Sequence, residues 1–154
     1  MPILRRAFLA ATLAPLLALP LALAAPTAHA ADKPHRLALQ ISDGDEAKMN
    51  AVLNVAANVS RYYSDKGEEV EIRIVAFNAG LAMLLADRTP VATRLKSFKQ
   101  GMPNVAFEAC ENTLDTLTKK EGKEPPLVEN AERVKAGVVT LIELSEQGWT
   151  IVRP

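Results

Sequence analysis

Five short runs rich in aliphatic and β-branched residues alternate with segments that keep the three-and-four-residue rhythm of helices, and this alternation leaves few folds open. Leu37-Ala38-Leu39-Gln40-Ile41 is the first run. After it, Met49, Val52, Ala56, Val59 and Tyr63 recur at steps of three and four. They mark one face of a helix of about five turns, ending near Lys66-Gly67. Residues 70–77 alternate and then become wholly apolar, as a buried strand does. A short helix is expected over 81–86, broken by Asp87-Arg88-Thr89-Pro90. A further helix is expected over 91–100, with Pro90 suited to its first turn and Gly101 to its end. Residues 104–109 read as the third strand and 112–120 as a helix. Gly122, Pro125 and Pro126 make 121–130 a loop, either a lid or a mobile surface segment. Residues 132–135 are short and charged, like an edge strand. A last helix over 137–146, closed by Gly148, leads to a final strand over 149–152.

Strands separated by helices need right-handed crossovers, so a parallel sheet with helices on both faces is expected. Ligands bind such sheets beyond the carboxyl ends of the strands. Four turns should gather there: Ser42-Asp43-Gly44, Asn78-Ala79-Gly80, Cys110-Glu111-Asn112 and Ala136-Gly137. Ser42, Asp43, Asn78, Gly80 and Asn112 are therefore the candidate ligand-binding residues. Ser42 with Asp45 three positions on also fits a capping box, and Asn112 is equally suited to cap a helix.

The first thirty residues have a different composition. Arg5-Arg6 precede an uncharged, Leu/Ala-rich stretch that ends in Ala28-His29-Ala30. This is the pattern of a signal peptide cleaved after Ala30, leaving one domain over 31–154 and no stable membrane anchor; a retained anchor is the other reading. Arg5-Arg6-Ala7-Phe8-Leu9 also fits the core of a twin-arginine signal, so the twin-arginine and general secretory routes both stay open. The expected location is the periplasm. The leader holds two of the 18 basic residues and none of the 18 acidic ones, so the mature chain carries a net charge near −2. No basic stripe or aromatic platform points to nucleic acid.

Cys110 is the only cysteine, so no internal disulfide can form. It lies where a strand runs into a helix, and the backbone N–H groups there would lower a thiol's pKa. Three neighbouring acids, Glu108, Glu111 and Asp115, would raise it if they point inward. Glu108 shares the strand face of Cys110. His35 belongs to the opposite end of the sheet and is no candidate general base. A reactive thiolate, a small buried side chain and a redox partner forming intermolecular disulfides all remain open from these features. One cysteine, one histidine in the mature chain and scattered carboxylates lack the spacing of a metal site, and there is no Gly-rich phosphate loop, so no metal and no cofactor is expected.

Four stretches together resemble the DsrE/DsrF-like family, including its YchN-type branch. They are Leu39-Gln40-Ile41-Ser42-Asp43, the segment from Val75 through Asn78-Ala79-Gly80 to Leu81, and Val105-Ala106-Phe107-Glu108-Ala109-Cys110-Glu111-Asn112-Thr113. The fourth runs from Ala136-Gly137-Val138 through Gln147-Gly148-Trp149 to Arg153-Pro154. The resemblance spans nearly all of the mature chain. It implies a three-layer α/β/α sandwich with a five-stranded parallel sheet, in homo- or hetero-oligomers, commonly trimers or hexamers. It also implies that Cys110 accepts sulfur as a persulfide from a donor and passes it to an acceptor protein or small thiol. Two departures stand out. Glu111 replaces a residue that is small in many relatives, and the best-known members carry no export signal. The alternative function is a non-catalytic ligand-binding or assembly module in which Cys110 is incidental.

Overall fold

The computed structural model describes residues 33–154, and the leader over 1–30 with its cleavage point lies outside them. Five strands, β1 (His35–Ile41), β2 (Val70–Ala76), β3 (Val105–Cys110), β4 (Ala131–Val134) and β5 (Thr150–Val152), form one sheet in the order β4-β3-β2-β1-β5. Every pairing is parallel. Four α-helices connect them: α1 (Glu46–Lys66), α2 (Ala92–Gly101), α3 (Glu111–Glu121) and α4 (Gly137–Glu146). A 3₁₀ segment, Asn78–Leu84, follows β2. The result is a three-layer α/β/α sandwich.

The period-2 alternation of each strand sorts its side chains onto two unequal faces. One face carries Leu39, Ile41, Ile72, Ile74 and Phe107, all buried against Met49, Val52, Leu53 and Ala56 of α1, Leu95 and Phe98 of α2, and Leu114 of α3. The other carries Ala38, Val75, Phe77 and Cys110, packed against Leu141 and Leu144 of α4 and against Trp149. Cys110 thus belongs to the smaller core, under the helix that shields it.

Local chemistry sets the element ends, and several differ from the sequence reading. Asp45, not Ser42, is the N-cap of α1, and its carboxylate accepts from the Lys48 N–H at 3.0 Å. Gly67 closes α1 in the left-handed region at φ 70°, where a glycine has no Cβ to clash. Strand β1 starts at His35, two residues before the apolar run, because its N–H reaches the Glu69 carbonyl at 2.9 Å. The expected helix over 81–86 is the earlier 3₁₀ segment. Its buried Gly80, Leu81, Met83 and Leu84 leave no single apolar stripe for an α-helix to follow.

Two corrections bear on the site. Strand β3 runs on through Cys110, which pairs with Val134 of β4, so helix α3 begins at Glu111 rather than Asn112. The segment 121–130 is tied down rather than mobile. The Ala86 N–H donates to the Pro126 carbonyl at 2.8 Å, the Val128 N–H to the Leu84 carbonyl at 2.9 Å, and Leu127 bridges to Leu85. Arg88 adds a fork of two bonds to the Glu121 carboxylate at 2.7 and 2.8 Å.

Candidate functional site

Cys110 is the last residue of β3 and the N-cap of α3, so the same residue ends a ladder and opens a helix. Its side chain is 5% exposed. It lines a cavity of about 580 Å³ whose other walls come from Phe77 and Asn78 after β2, Asn112, Thr113 and Leu117 of α3, and Gly137 and Val138 of α4. The first turns of α3 and α4 both meet this cavity. Each leaves N–H groups without intrahelical partners, aimed at the space beyond the strand ends.

Those groups act on the sulfur. Burial pushes the Cys110 thiol up. The Gly137 N–H, the Thr113 hydroxyl and the N–H groups of Thr113 and Asn112 outweigh it and hold the thiol below its ordinary value. Cys110 makes no side-chain capping hydrogen bond. The effect is therefore that of several oriented dipoles around the sulfur, not of one short contact. Thr113 is oriented for this task. Its Oγ1 accepts the Asn78 N–H at 3.0 Å, which leaves the hydroxyl hydrogen free to point at the sulfur. Asn78 presents that N–H from the left-handed region, at φ 49°, where asparagine is among the tolerated residues.

The neighbouring acids are accounted for. Glu108 does share the face of Cys110, but its Oε1 accepts from Arg73 Nη1 of β2 at 2.6 Å. Its Oε2 is buried without a partner. Burial pushes the Glu108 carboxyl up against the pull of Arg73, and Glu132 on the adjacent strand adds to the rise. The Arg73 guanidinium in turn lies 5.2 Å from the Trp149 ring centroid. Glu111 is turned toward Lys135, at 3.8 Å, and does not line the cavity.

The candidate ligand residues divide. Asn78 and Asn112 line the cavity with Cys110. Ser42, Asp43 and Gly80 do not. Asp43 accepts from Arg153 Nη2 at 2.8 Å, joining the turn after β1 to the C-terminus. Gly80 serves packing: a Cβ there would meet the Ile41 carbonyl oxygen at 2.3 Å. Asn112 is not a helix cap, because Cys110 holds that position. Thr116, Leu117 and Lys120 line the cavity without being among the expected site residues, and Thr113, expected to act through its N–H, also acts through its hydroxyl. Their steps of three, three, one and three along one helix face, counted from a thiol at the N-cap, were the available signal.

A solved structure shares this fold. It is that of a protein of unknown function, MTH1491, from Methanobacterium thermoautotrophicum, with a TM-score of 0.66 and 25% sequence identity over 78% of this chain and 99% of that one. No protein-family model matches the sequence, and no curated protein matches it. Among the described residues, no group of three or more His, Cys, Asp or Glu side chains is placed to hold a metal ion. No helix among them is long and apolar enough to cross a membrane.

Proposed function

We propose that this protein is an exported, periplasmic sulfur carrier of the DsrE-like type that holds sulfane sulfur as a persulfide on Cys110. The observation that carries this reading is the thiol itself: shielded from bulk water, open to a cavity, and held below its ordinary pKa by dipoles from two helix N-termini and a hydroxyl. A thiolate in such a place is a nucleophile without a general base. Attack on the outer sulfur of a donor X–S–S⁻ forms the Cys110 S–S bond while X–S⁻ leaves with the electron pair of the broken bond. An acceptor thiolate then attacks the terminal sulfur, and Cys110 leaves as thiolate.

The test is intact mass after incubation with polysulfide or thiosulfate. Wild type should gain the mass of one sulfur, removable by reductant, and Cys110→Ser should gain none. Equal gain by the variant, or no gain by wild type, overturns the reading.

A second reading, an assembly module, is favoured by one feature of α4. Val138, Val139 and Ile142 are each at least half exposed on its outer side. A homo-oligomer would cover this stripe. The two readings separate on the folded protein: a Cys110 that reacts with thiol reagents only after denaturation favours the assembly role.

A further inference from the structure

We propose that the Cys110 cavity takes an anionic sulfur donor and that Lys120 selects for its charge, an inference that rests on the persulfide reading above. Lys120 is the only charged side chain among the described residues that line the cavity. It lies on the face of α3 that begins with Thr113 near the sulfur, seven residues or about 10 Å further along the helix. A lysine stem adds several ångströms of reach, so its ammonium can meet the far end of a small molecule whose reactive sulfur touches Cys110.

The acids near Lys120 bond to other cations, with Glu121 feeling the Lys120 charge only as a lesser influence beside Arg88. Glu121, its neighbour in sequence, gives both carboxylate oxygens to Arg88 at 2.7 and 2.8 Å. Glu124 pairs with Arg133, and Glu111 faces Lys135. Asp115 is outside the cavity lining and acts on Arg133. Lys120 itself enters none of the ion pairs formed among the described residues. The cavity therefore offers a positive charge at its rim, apolar walls from Phe77, Leu117 and Val138, and unpaired helix N–H groups at its base. That combination fits a sulfane sulfur joined to an anionic group. With thiosulfate, the Cys110 thiolate attacks the outer sulfur, the S–S bond breaks, and sulfite leaves with the bonding pair. One thiolate and one dianion give one persulfide anion and one dianion, so charge and electrons balance with no added oxidant or reductant.

The test compares wild type, Lys120→Met and Lys120→Arg with two pairs of measurements. The first is the rate of Cys110 alkylation by iodoacetate, which is anionic, against iodoacetamide, which is neutral. The second is persulfide loading from thiosulfate, read by intact mass. Lys120→Met should lower the iodoacetate-to-iodoacetamide ratio about threefold to fivefold, the size expected of an exposed charge pair. It should slow thiosulfate loading by a similar factor and slow iodoacetamide less than iodoacetate, and Lys120→Arg should restore both. An unchanged ratio in Lys120→Met overturns the anion inference. If the ratio falls as expected but thiosulfate loads neither wild type nor the variants, the cavity's charge selection stands as a property of the site and thiosulfate falls as its donor; the persulfide reading itself falls only if polysulfide also adds no sulfur to wild type.

Discussion

The two ends of the sheet hold cavities of similar size and opposite chemistry. At the carboxyl end, about 580 Å³ open beside Cys110 and the first turns of α3 and α4. At the amino end, about 510 Å³ are lined by His35, Arg36, Tyr62, Tyr63 and Val70. There His35 stacks on Tyr63 with ring centroids 4.0 Å apart, and its Nε2 lies 2.9 Å from the Glu68 carboxylate. The Lys66 ammonium sits 4.5 Å from the Tyr62 ring centroid, over the last turn of α1. Both cavities have mainly apolar walls, so size and lining do not separate them. Helix polarity does. In a parallel sheet every following helix starts at the carboxyl edge and ends at the amino edge, so N–H groups collect at one end and carbonyls at the other. An anion such as a thiolate belongs at the first. Aromatic rings and a cation fit the second.

The largest expected effect comes from pushing the carboxyl edge itself apart. Gly80→Ala drives a Cβ into the Ile41 carbonyl, so a loss of about 3 kcal/mol is expected in urea unfolding. A loss under a few tenths would mean the seam between β1 and the 3₁₀ segment is loose.

Removing one donor at the sulfur is the next largest effect. Thr113→Val should slow Cys110 alkylation at neutral pH by about tenfold, since a hydrogen bond to a charged group contributes about 1.5 kcal/mol. Thr113→Ser should keep the rate. The pH profile of iodoacetamide alkylation decides whether the change lies in the thiol's pKa.

An equivalent lesion at the amino edge should leave the thiol alone. His35→Ala should cost about 1 kcal/mol of stability through the lost ring stack and leave the alkylation rate unchanged. A changed rate would mean that the two ends are coupled.

Two smaller effects appear in stability against pH. Because the folded thiol lies below its ordinary 9.0, the unfolded chain binds more protons between the two values. Stability should rise with pH across that window, and the gain is lost as pH falls through the folded value; Cys110→Ser should flatten the slope. Glu108 has the opposite sign. Its carboxyl is raised above 4.5, so the folded state keeps the proton longer and stability should fall as pH rises through the window just above that value. Glu108→Gln should remove that fall. Denaturant unfolding across pH measures both.

Much of the fold was legible because its signals are periodic and local. The Met49-to-Tyr63 spacing and the Gly67 cap defined α1 to within a residue or two of its end. The segment after Gly122 was not legible in the same way. Pro125 and Pro126 read as an open loop, and only the pairing with residues 84–86, some forty positions away, ties it down. The site was half legible. Topology placed Asn78, Cys110 and Asn112 on one edge, and they do line one cavity. Ser42, Asp43 and Gly80 belong to the same edge by topology, yet an arginine from the C-terminus and the closeness of two backbones draw them into other roles.

The acids around Cys110 show where each kind of information stops. The residue pattern alone establishes that strands and helices alternate, that the lone thiol lies at a strand–helix junction on the carboxyl edge, and that Glu108 shares its face. These follow from periods of 2 and 3.6, which are properties of neighbouring residues. Tertiary structure alone decided that Arg73 from β2 takes the Glu108 carboxylate, that Thr113 is oriented by the Asn78 N–H, and that Gly137 brings a second helix N-terminus to the sulfur. Those partners lie between 27 and 35 residues away from the groups they act on, and the sheet pairing brings them together across that distance.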